Sequence, residues 1–228
     1  MRLRVDKEEG LKEFRHPGPG PHPLLLTAAG RFISYLFHPV FIPVFITALL
    51  VFRHPYLFLG FSHGDKVRVL LQAFLMFTFF PLITVLLLRG LRFIDSIRLN
   101  SQRDRIIPLV ACGIWYFWIW YVWRNLPDYP PLLVELALAV WISSTLALLA
   151  NIRMKVSLHG IAAGVMTGFA VQLALTQDLP SGLFLTGAFI VTGLIATARL
   201  LVSDHTTGEV YGGLLLGGIS LLIAALAS

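Results

Sequence analysis

Charged residues are scarce in this 228-residue sequence: Asp, Glu, Lys and Arg make up 13% of it, against 57% hydrophobic residues. A soluble domain of this length needs more charge on its surface, so the composition excludes that class and predicts a protein that crosses a membrane several times. The apolar stretches have the length of helices and do not alternate with a period of two, which disfavours a β-barrel. We therefore predict an all-α, polytopic membrane helical bundle.

Cysteine is almost absent as well, since Cys112 is the single one and lies inside an apolar run. One thiol provides neither a disulfide framework nor a thiolate metal cluster. Acidic residues are fewer than basic ones, 12 against 18, for a formal net charge of +6. In a membrane protein, lipid headgroups or an anionic substrate explain this surplus better than nucleic acid does. We expect no cofactor, no metal ion and no nucleic acid, and the sequence indicates no oligomeric state.

The sequence divides into three parts. Residues 1–23 are polar and rich in Pro and Gly, which predicts a flexible tail. Residues 24–64 are apolar but interrupted by Arg and Pro, which predicts an interfacial helix and then a first membrane segment at about 36–52, with a re-entrant hairpin as the alternative. Residues 65–228 contain six further apolar stretches, at about 69–88, 106–123, 132–150, 158–175, 183–202 and 210–228. The bundle therefore has six to seven transmembrane helices.

Three polar connections interrupt the apolar stretches, at residues 89–105, 151–157 and 203–209. Two predicted crossings separate each connection from the next, so all three open on the same face of the membrane. Most of the Lys and Arg residues lie on that side, together with the N-terminus. By the positive-inside rule we predict a multi-pass protein of the cell (inner) membrane, with these connections on its cytoplasmic face.

The third connection contains several ionisable residues next to apolar stretches, a placement that is costly and typical of functional sites. Arg199 precedes His205 by six residues, and Glu209 follows it by four. If a helix begins near Asp204, His205 and Glu209 lie one turn apart, so the carboxylate fixes the imidazole tautomer and the other ring nitrogen can attack a substrate. The alternative is a short loop in which Asp204 caps the helix, Arg199 extends to the interface and His205 is only interfacial.

The other two connections carry cations and a second histidine. Arg98 and Arg105 are seven residues apart, or two helical turns, so their guanidinium groups can project on one face and bind phosphate oxygens. Lys155, Ser157 and His159 come where a helix begins: the serine can cap it, its N–H groups can bind an anion, and the histidine can donate a proton. Alternatively, these residues form a loop at the lipid headgroups, a helix cap and a hydrogen-bonded interior histidine.

Together these residues resemble the type 2 phosphatidic acid phosphatase (PAP2) superfamily, whose signature is Lys-x6-Arg-Pro, Pro-Ser-Gly-His and Ser-Arg-x5-His-x3-Asp. The resemblance covers residues 65–228, and the matching residues are, element by element, Arg98-x6-Arg105, Ser157-Leu-His159 and Arg199-x5-His205-x3-Glu209. The sequence departs from the signature at Arg98, Val156, Leu158, Ala198 and Glu209, where the family has lysine, proline, glycine, serine and aspartate, and its proline follows Arg105 by three residues instead of one.

The resemblance implies a metal-independent lipid phosphate phosphatase with a PAP2-like core. In it, His205 attacks phosphorus to give a phosphohistidine, Glu209 orients the imidazole, and His159 protonates the leaving alkoxide. The phosphoryl oxygens are then bound by Arg98, Arg105, Lys155, Ser157 and Arg199. The implied partner is a lipid phosphate or a prenyl (di)phosphate within the surrounding membrane lipids. Two alternatives stay open: transfer of the phosphoryl or headgroup to another alcohol, as in a lipid synthase, and a non-catalytic protein that binds lipid phosphate.

Overall fold

The computed structural model describes residues 3–6, 10–13, 23–97, 99, 101–176, 182–203 and 205–228. In these ranges the chain forms eight helices, and six of them are long and apolar enough to cross a membrane. The eight are α1 (Leu24–Leu36), α2 (Ile42–Arg53), α3 (His63–Gly90), α4 (Gln102–Arg124), α5 (Pro131–Ala150), α6 (Leu158–Thr176), α7 (Gly182–Val202) and α8 (Thr207–Ala227). This confirms the predicted all-α, polytopic helical bundle.

Most of the predicted tail, residues 1–23, lies outside the described residues. The part that is described forms a short antiparallel pair of strands, β1 (Leu3–Asp6) and β2 (Gly10–Glu13), ahead of the first helix. The flexibility of the tail stays a prediction.

The first apolar segment forms two helices, α1 and α2, and α2 begins at Ile42, later than the predicted start at about residue 36. The break falls at His38, because the proline that follows it disfavours a helical conformation at the preceding residue. The second helix, α2, has Pro43 in its first turn, where the missing N–H is not needed. Its 12 residues span only about 18 Å, compared with about 30 Å of hydrocarbon. The helices of full spanning length therefore begin with α3.

Although it is short, α2 joins the two ends of the bundle. Just before α2, the His38 ring lies 5.3 Å from the ring of His159, at the start of α6. Beyond the other end of α2, the Phe61 ring lies 6.0 Å from the ring of Tyr129, just before α5. One face of α2, which includes Ile46 and Leu50, is buried in the main apolar core, whereas Phe45 and Leu49 are exposed. The helix thus packs along the bundle, and it links the two ends of the bundle together with its flanking connections.

The connection between α1 and α2 is held by α3. The Thr78 hydroxyl donates a hydrogen bond of 2.7 Å to the carbonyl of Val40. Thr78 belongs to a π-helical turn, Leu75–Phe79, within α3, and such turns are frequent at functional sites. This bond fixes the depth at which the residues around His38 enter the bundle.

Glycines allow α6 and α8 to pack with their backbones in contact. The four-residue spacing of Gly160, Gly164 and Gly168 predicts such a face, and the structure confirms it. A Cβ atom on Gly164 would overlap the Leu214 carbonyl, and one on Gly217 would overlap the Ile161 carbonyl. The close contact brings the start of α6, which carries His159, beside the start of α8, which follows His205.

Candidate functional site

A cavity of about 690 Å³ lies at the end of the bundle where the three polar connections meet. Its ionisable lining comes from all three connections and from the segment between α1 and α2, and includes Arg105, Lys155, His159, Arg199, His205 and His38. Its apolar lining continues between the helices and includes Pro81, Leu82, Val85, Leu109, Tyr116 and Val140. One cavity thus combines a cationic end with an apolar branch inside the bundle.

Glu209 contacts His205 and also caps the helix that carries it. Its Oε2 accepts a hydrogen bond from His205 Nδ1 at 3.0 Å and another from the backbone N–H of Thr206 at 3.1 Å. The Thr206 hydroxyl in turn accepts from the backbone N–H of Glu209, at 3.3 Å, which completes a capping box. A carboxylate only accepts, so Nδ1 carries the hydrogen and the Nε2 lone pair of His205 is left for a substrate.

The cap differs from the one considered from the sequence. The helix α8 begins at Thr207 with Thr206 as its cap, whereas the sequence reasoning placed the helix start or the cap at Asp204, which lies outside the described residues. The pattern of a threonine followed three residues later by a glutamate is itself a capping-box signal. It would have located the start of α8 correctly.

Burial and neighbouring charges keep His205 in its neutral form. Burial lowers the pKa of His205, the hydrogen bond with Glu209 opposes this, and the charges of Arg105 and Arg199 lower the pKa further. The side chains of His205 and Glu209 are each 5% exposed. Neutral imidazole is the nucleophilic form, so the arrangement suits attack on an electrophile at neutral pH.

Ser157 joins the two helix starts. Its hydroxyl accepts a hydrogen bond of 3.3 Å from the backbone N–H of Gly160, and its own N–H donates to the carbonyl of Glu209 at 3.0 Å. The residue is fully buried and is not part of the cavity wall. Its predicted capping role agrees with this geometry, and its contact with phosphate stays a prediction.

His159 lines the cavity, but one of its nitrogens is already engaged. The Nε2 atom lies 3.0 Å from the backbone carbonyl oxygen of Ser34, on α1. A carbonyl oxygen only accepts, so Nε2 carries the hydrogen and donates it to α1. The contact joins residues 125 positions apart in the sequence. As a result, the N-terminal helix α1 is hydrogen-bonded to a residue of the cavity wall.

Arg105 lines the cavity and also ties the first connection to the second. Its Nε donates to the carbonyl of Leu99 at 3.0 Å, and one terminal nitrogen donates to the carbonyl of Val156 at 2.6 Å. The side chain is only 4% exposed. Beside it, the amides of Gln102 and Asn151 donate to each other's backbone carbonyls, both at 2.8 Å. The first two predicted connections therefore do meet at one place.

Arg98 lies outside the described residues. Its sharing of a helix face with Arg105 stays a prediction. Among the described residues, α4 begins at Gln102, Ser101 caps it through the N–H of Asp104, and Leu99 has a φ of 51°, in the left-handed region.

Two further cations line the cavity wall. Lys155 is 8% exposed and precedes α6. Arg199 lies in the last turn of α7, where the helix dipole favours a positive charge. The Arg199 charge acts on both His38 and His205, since it lowers the pKa of each. Two of the predicted phosphate ligands thus share one cavity with the predicted nucleophile.

His38 was missed by the sequence reasoning, which treated it only as part of a break in the first apolar segment. It lines the cavity, and burial followed by the charge of Arg199 lowers its pKa to about 4. Its Nδ1 is buried and has no hydrogen-bond partner among the described residues. An ionisable residue inside an apolar stretch was the available signal, by the same reasoning that singled out His205.

The described residues contain no group of three or more His, Cys, Asp or Glu side chains placed to hold a metal ion. Comparisons of the chain with protein-family models, with curated proteins and with solved structures found no match. Membership of the PAP2 superfamily therefore stays a prediction that rests on the residues themselves. The class defined so far is a multi-pass membrane protein with a cationic, histidine-containing cavity.

Proposed function

We propose that this protein is an integral-membrane phosphatase that removes the phosphoryl group from a lipid or prenyl phosphate through a phosphohistidine intermediate. The observation that carries the proposal is the hydrogen bond of 3.0 Å between Glu209 and His205, because His205 lines a cavity whose wall also includes Arg105, Lys155 and Arg199. A carboxylate-oriented neutral imidazole is a nucleophile, and a cluster of cations is what a phosphoryl group requires around it.

The chemistry follows from these positions. The Nε2 lone pair of His205 forms a bond to phosphorus while the bond from phosphorus to the lipid oxygen breaks, and that oxygen takes a proton. Glu209 stabilises the imidazolium that forms, and the cations bind the phosphoryl oxygens as charge redistributes. Water then attacks the phosphohistidine, releases inorganic phosphate and restores the imidazole. The family resemblance gives the acid and base role to His159.

The apolar branch of the cavity supports a lipid as the substrate. It is lined by side chains from α3, α4 and α5, and Leu109, Tyr116 and Val140 lie along it. The hydrocarbon part of a lipid phosphate fits there while its headgroup lies among the cations, because burial of apolar surface favours the chain and the charges favour the anion. The positive-inside rule places the cationic end on the cytoplasmic face of the cell membrane.

The proposal is tested with the purified full chain in detergent micelles. Alkyl, prenyl and diacylglycerol phosphates are supplied in turn, and inorganic phosphate is measured. With a radiolabelled substrate, we expect label to be trapped on the protein in an alkali-stable, acid-labile form. His205→Gln abolishes both signals, whereas the matched control His63→Gln keeps them because His63 is exposed at the start of α3, at the other end of the bundle.

Other results would identify the alternatives. Phosphoryl transfer to an added alcohol without inorganic phosphate would show a transferase. Saturable binding of lipid phosphate without turnover would show a binding protein. Turnover that His205→Gln leaves unchanged would refute the site assignment.

A further inference from the structure

The two other histidines that line the cavity, His38 and His159, differ in the hydrogen bonds of their ring nitrogens. His159 donates its Nε2 hydrogen to the Ser34 carbonyl on α1, at 3.0 Å. In its neutral form only Nδ1 is then left, and that nitrogen has no hydrogen to give. A proton donor for a leaving oxygen needs an N–H directed at the substrate. In this arrangement His159 is therefore engaged as a link to the N-terminal helix.

His38 has the property that His159 lacks. It lines the same cavity, with its ring 5.3 Å from the ring of His159 at an interplanar angle of 79°. Its Nδ1 is buried without a hydrogen-bond partner among the described residues. Buried polar atoms in native proteins are nearly always paired, so an unpaired one on a cavity-lining side chain indicates a contact that the described residues do not supply.

The position of His38 also suits a leaving group. It belongs to the short connection that leads into α2, and the next cavity-lining residues along the chain, Pro39, Val40 and Ile42, are apolar. The charge of Arg199 acts on His38, and the charges of Arg105 and Arg199 act on His205. An anion bound at the arginines thus has the nucleophile and His38 among its neighbours, with apolar surface beside His38 for the chain that departs.

We propose that His38 is a third catalytic imidazole of this site, the one that protonates the leaving oxygen, and that His159 positions the N-terminal segment carrying it. The inference rests on the proposed phosphatase function and adds a residue outside the three signature elements. The structural alternative is a core histidine that only packs against His159, and it leaves the buried Nδ1 unexplained.

The proton that His38 delivers comes with the substrate. The second pKa of a phosphate monoester is about 6, so near neutral pH a fraction of the substrate is the monoanion, and that form brings a proton to the site. His38 takes up that proton as the anion binds. The lone pair of His205 Nε2 then forms the bond to phosphorus, the bond to the lipid oxygen breaks with its electron pair on oxygen, and His38 gives its proton to that oxygen. Neutral His38 later accepts a proton from the water that attacks the phosphohistidine.

The electrostatics of the cavity agree with this cycle. Burial and the Arg199 charge lower the pKa of His38 to about 4, so the side chain is neutral before substrate arrives. A bound phosphate offsets the arginine charge and favours the imidazolium form. His38 thus becomes an acid only when substrate is present.

The test compares two leaving groups on the full-length protein. An alkyl phosphate has a poor leaving group that needs a proton, whereas 4-nitrophenyl phosphate has a good one that departs as an anion. We measure kcat/KM for both with the wild type, His38→Gln, His159→Gln and the matched control His63→Gln. For His38→Gln we expect a loss of about 100-fold or more with the alkyl phosphate and less than about 10-fold with the aryl phosphate.

A purely structural histidine affects both substrates alike. Equal losses in His38→Gln would therefore overturn the inference, and so would the leaving-group dependence in His159→Gln alone. His38→Ala gives an independent reading, because added imidazole should restore its alkyl phosphatase activity if the missing group is a proton donor. The thermal midpoint of each variant identifies any that fails to fold.

The wild-type and His205→Gln rates separate this inference from the proposed function. If the wild type releases phosphate from neither substrate, the phosphatase proposal fails and the role of His38 fails with it. If the wild type is active and His205→Gln is not, while His38→Gln shows no leaving-group dependence, the phosphatase stands and only the role of His38 is refuted.

Discussion

The carboxylate of Glu209 accepts a hydrogen bond from His205 Nδ1 at 3.0 Å, and it also accepts one from the backbone N–H of Thr206, the cap of its own helix. The orientation of the imidazole is thereby coupled to the start of α8. The backbone carbonyl of Glu209 also accepts a hydrogen bond of 3.0 Å from the N–H of Ser157, so the start of α8 is coupled to the start of α6 as well. The geometry of the proposed nucleophile thus depends on two rigid elements and not on a mobile loop.

Glu209→Gln should remove the charge that stabilises the imidazolium and allow the wrong tautomer. We expect phosphate release to fall by about 100- to 10,000-fold. The matched control is Asp65→Asn, because Asp65 forms the equivalent capping box with Ser62 at the start of α3. Because an amide oxygen at this position still accepts the cap N–H, both variants should keep a thermal midpoint close to that of the wild type, but only Glu209→Gln should lose activity. Equal activity in the two would contradict the orienting role.

Arg105→Met should destabilise the protein as well as inactivate it. The change leaves the buried carbonyls of Leu99 and Val156 without their donor, which costs about 3 kcal/mol in total. Arg103→Met is the control, since Arg103 lies two residues earlier in the same turn and is exposed. A thermal midpoint for Arg105→Met as high as that of the control would show that the two hydrogen bonds contribute little.

Gly164→Ala should disrupt the packing of α6 against α8. Its Cβ would overlap the backbone carbonyl of Leu214, which cannot move without displacing the helix. Overpacking of this kind costs about 1–3 kcal/mol or more. The control Gly218→Ala adds the same methyl group where nothing lies within 4 Å. We expect a lower thermal midpoint and early aggregation on size exclusion for Gly164→Ala only, and a similar effect of both would argue against the contact.

Acid should destabilise the wild type more than His38→Gln. The pKa of His38 is lowered from 6.5 to about 4, so the folded state binds fewer protons than the unfolded state between these values. The contribution of neutral His38 to the free energy of unfolding is therefore complete above pH 6.5. It is lost as the pH falls toward about 4, by at most about 3 kcal/mol. His159 and Arg199 are the ionisable groups that face His38 from α6 and α7. Thermal midpoints measured over this range should converge at low pH, and parallel curves would contradict the buried neutral state.

Cysteine accessibility should place two connections on one face of the membrane. In a Cys112→Ser background, single cysteines replace Arg103, Arg153 or Asp128, which are all exposed. We expect a membrane-impermeant maleimide to label the first two only in inverted inner-membrane vesicles, and Asp128→Cys only in intact cells with a permeable outer membrane. Labelling of Arg103→Cys and Arg153→Cys from opposite sides would refute the shared face, and labelling of both from outside would refute its cytoplasmic orientation.

The long apolar stretches and the contact of His205 with Glu209 were predictable because both are local. A stretch of about 20 apolar residues matches the bilayer thickness wherever it occurs, and residues four apart lie one helical turn from each other. The glycine spacing on α6 is local in the same sense, and it correctly predicted a packing face. The prediction that pairs Arg98 with Arg105 used the same rule and stays a prediction, because Arg98 lies outside the described residues.

The sequence by itself determined that this protein is a multi-span helical bundle with ionisable residues at the ends of its helices, since hydrophobic length and turn spacing act within a few residues. Only the tertiary structure decided that the His38 ring lies beside the His159 ring, that the Ser34 carbonyl accepts a hydrogen bond from His159 at 125 positions' distance, and that a 12-residue helix buries one face in the bundle. The physical reason is that these contacts depend on how the helices pack around one another, and no short-range pattern in the chain encodes a contact between residues so far apart.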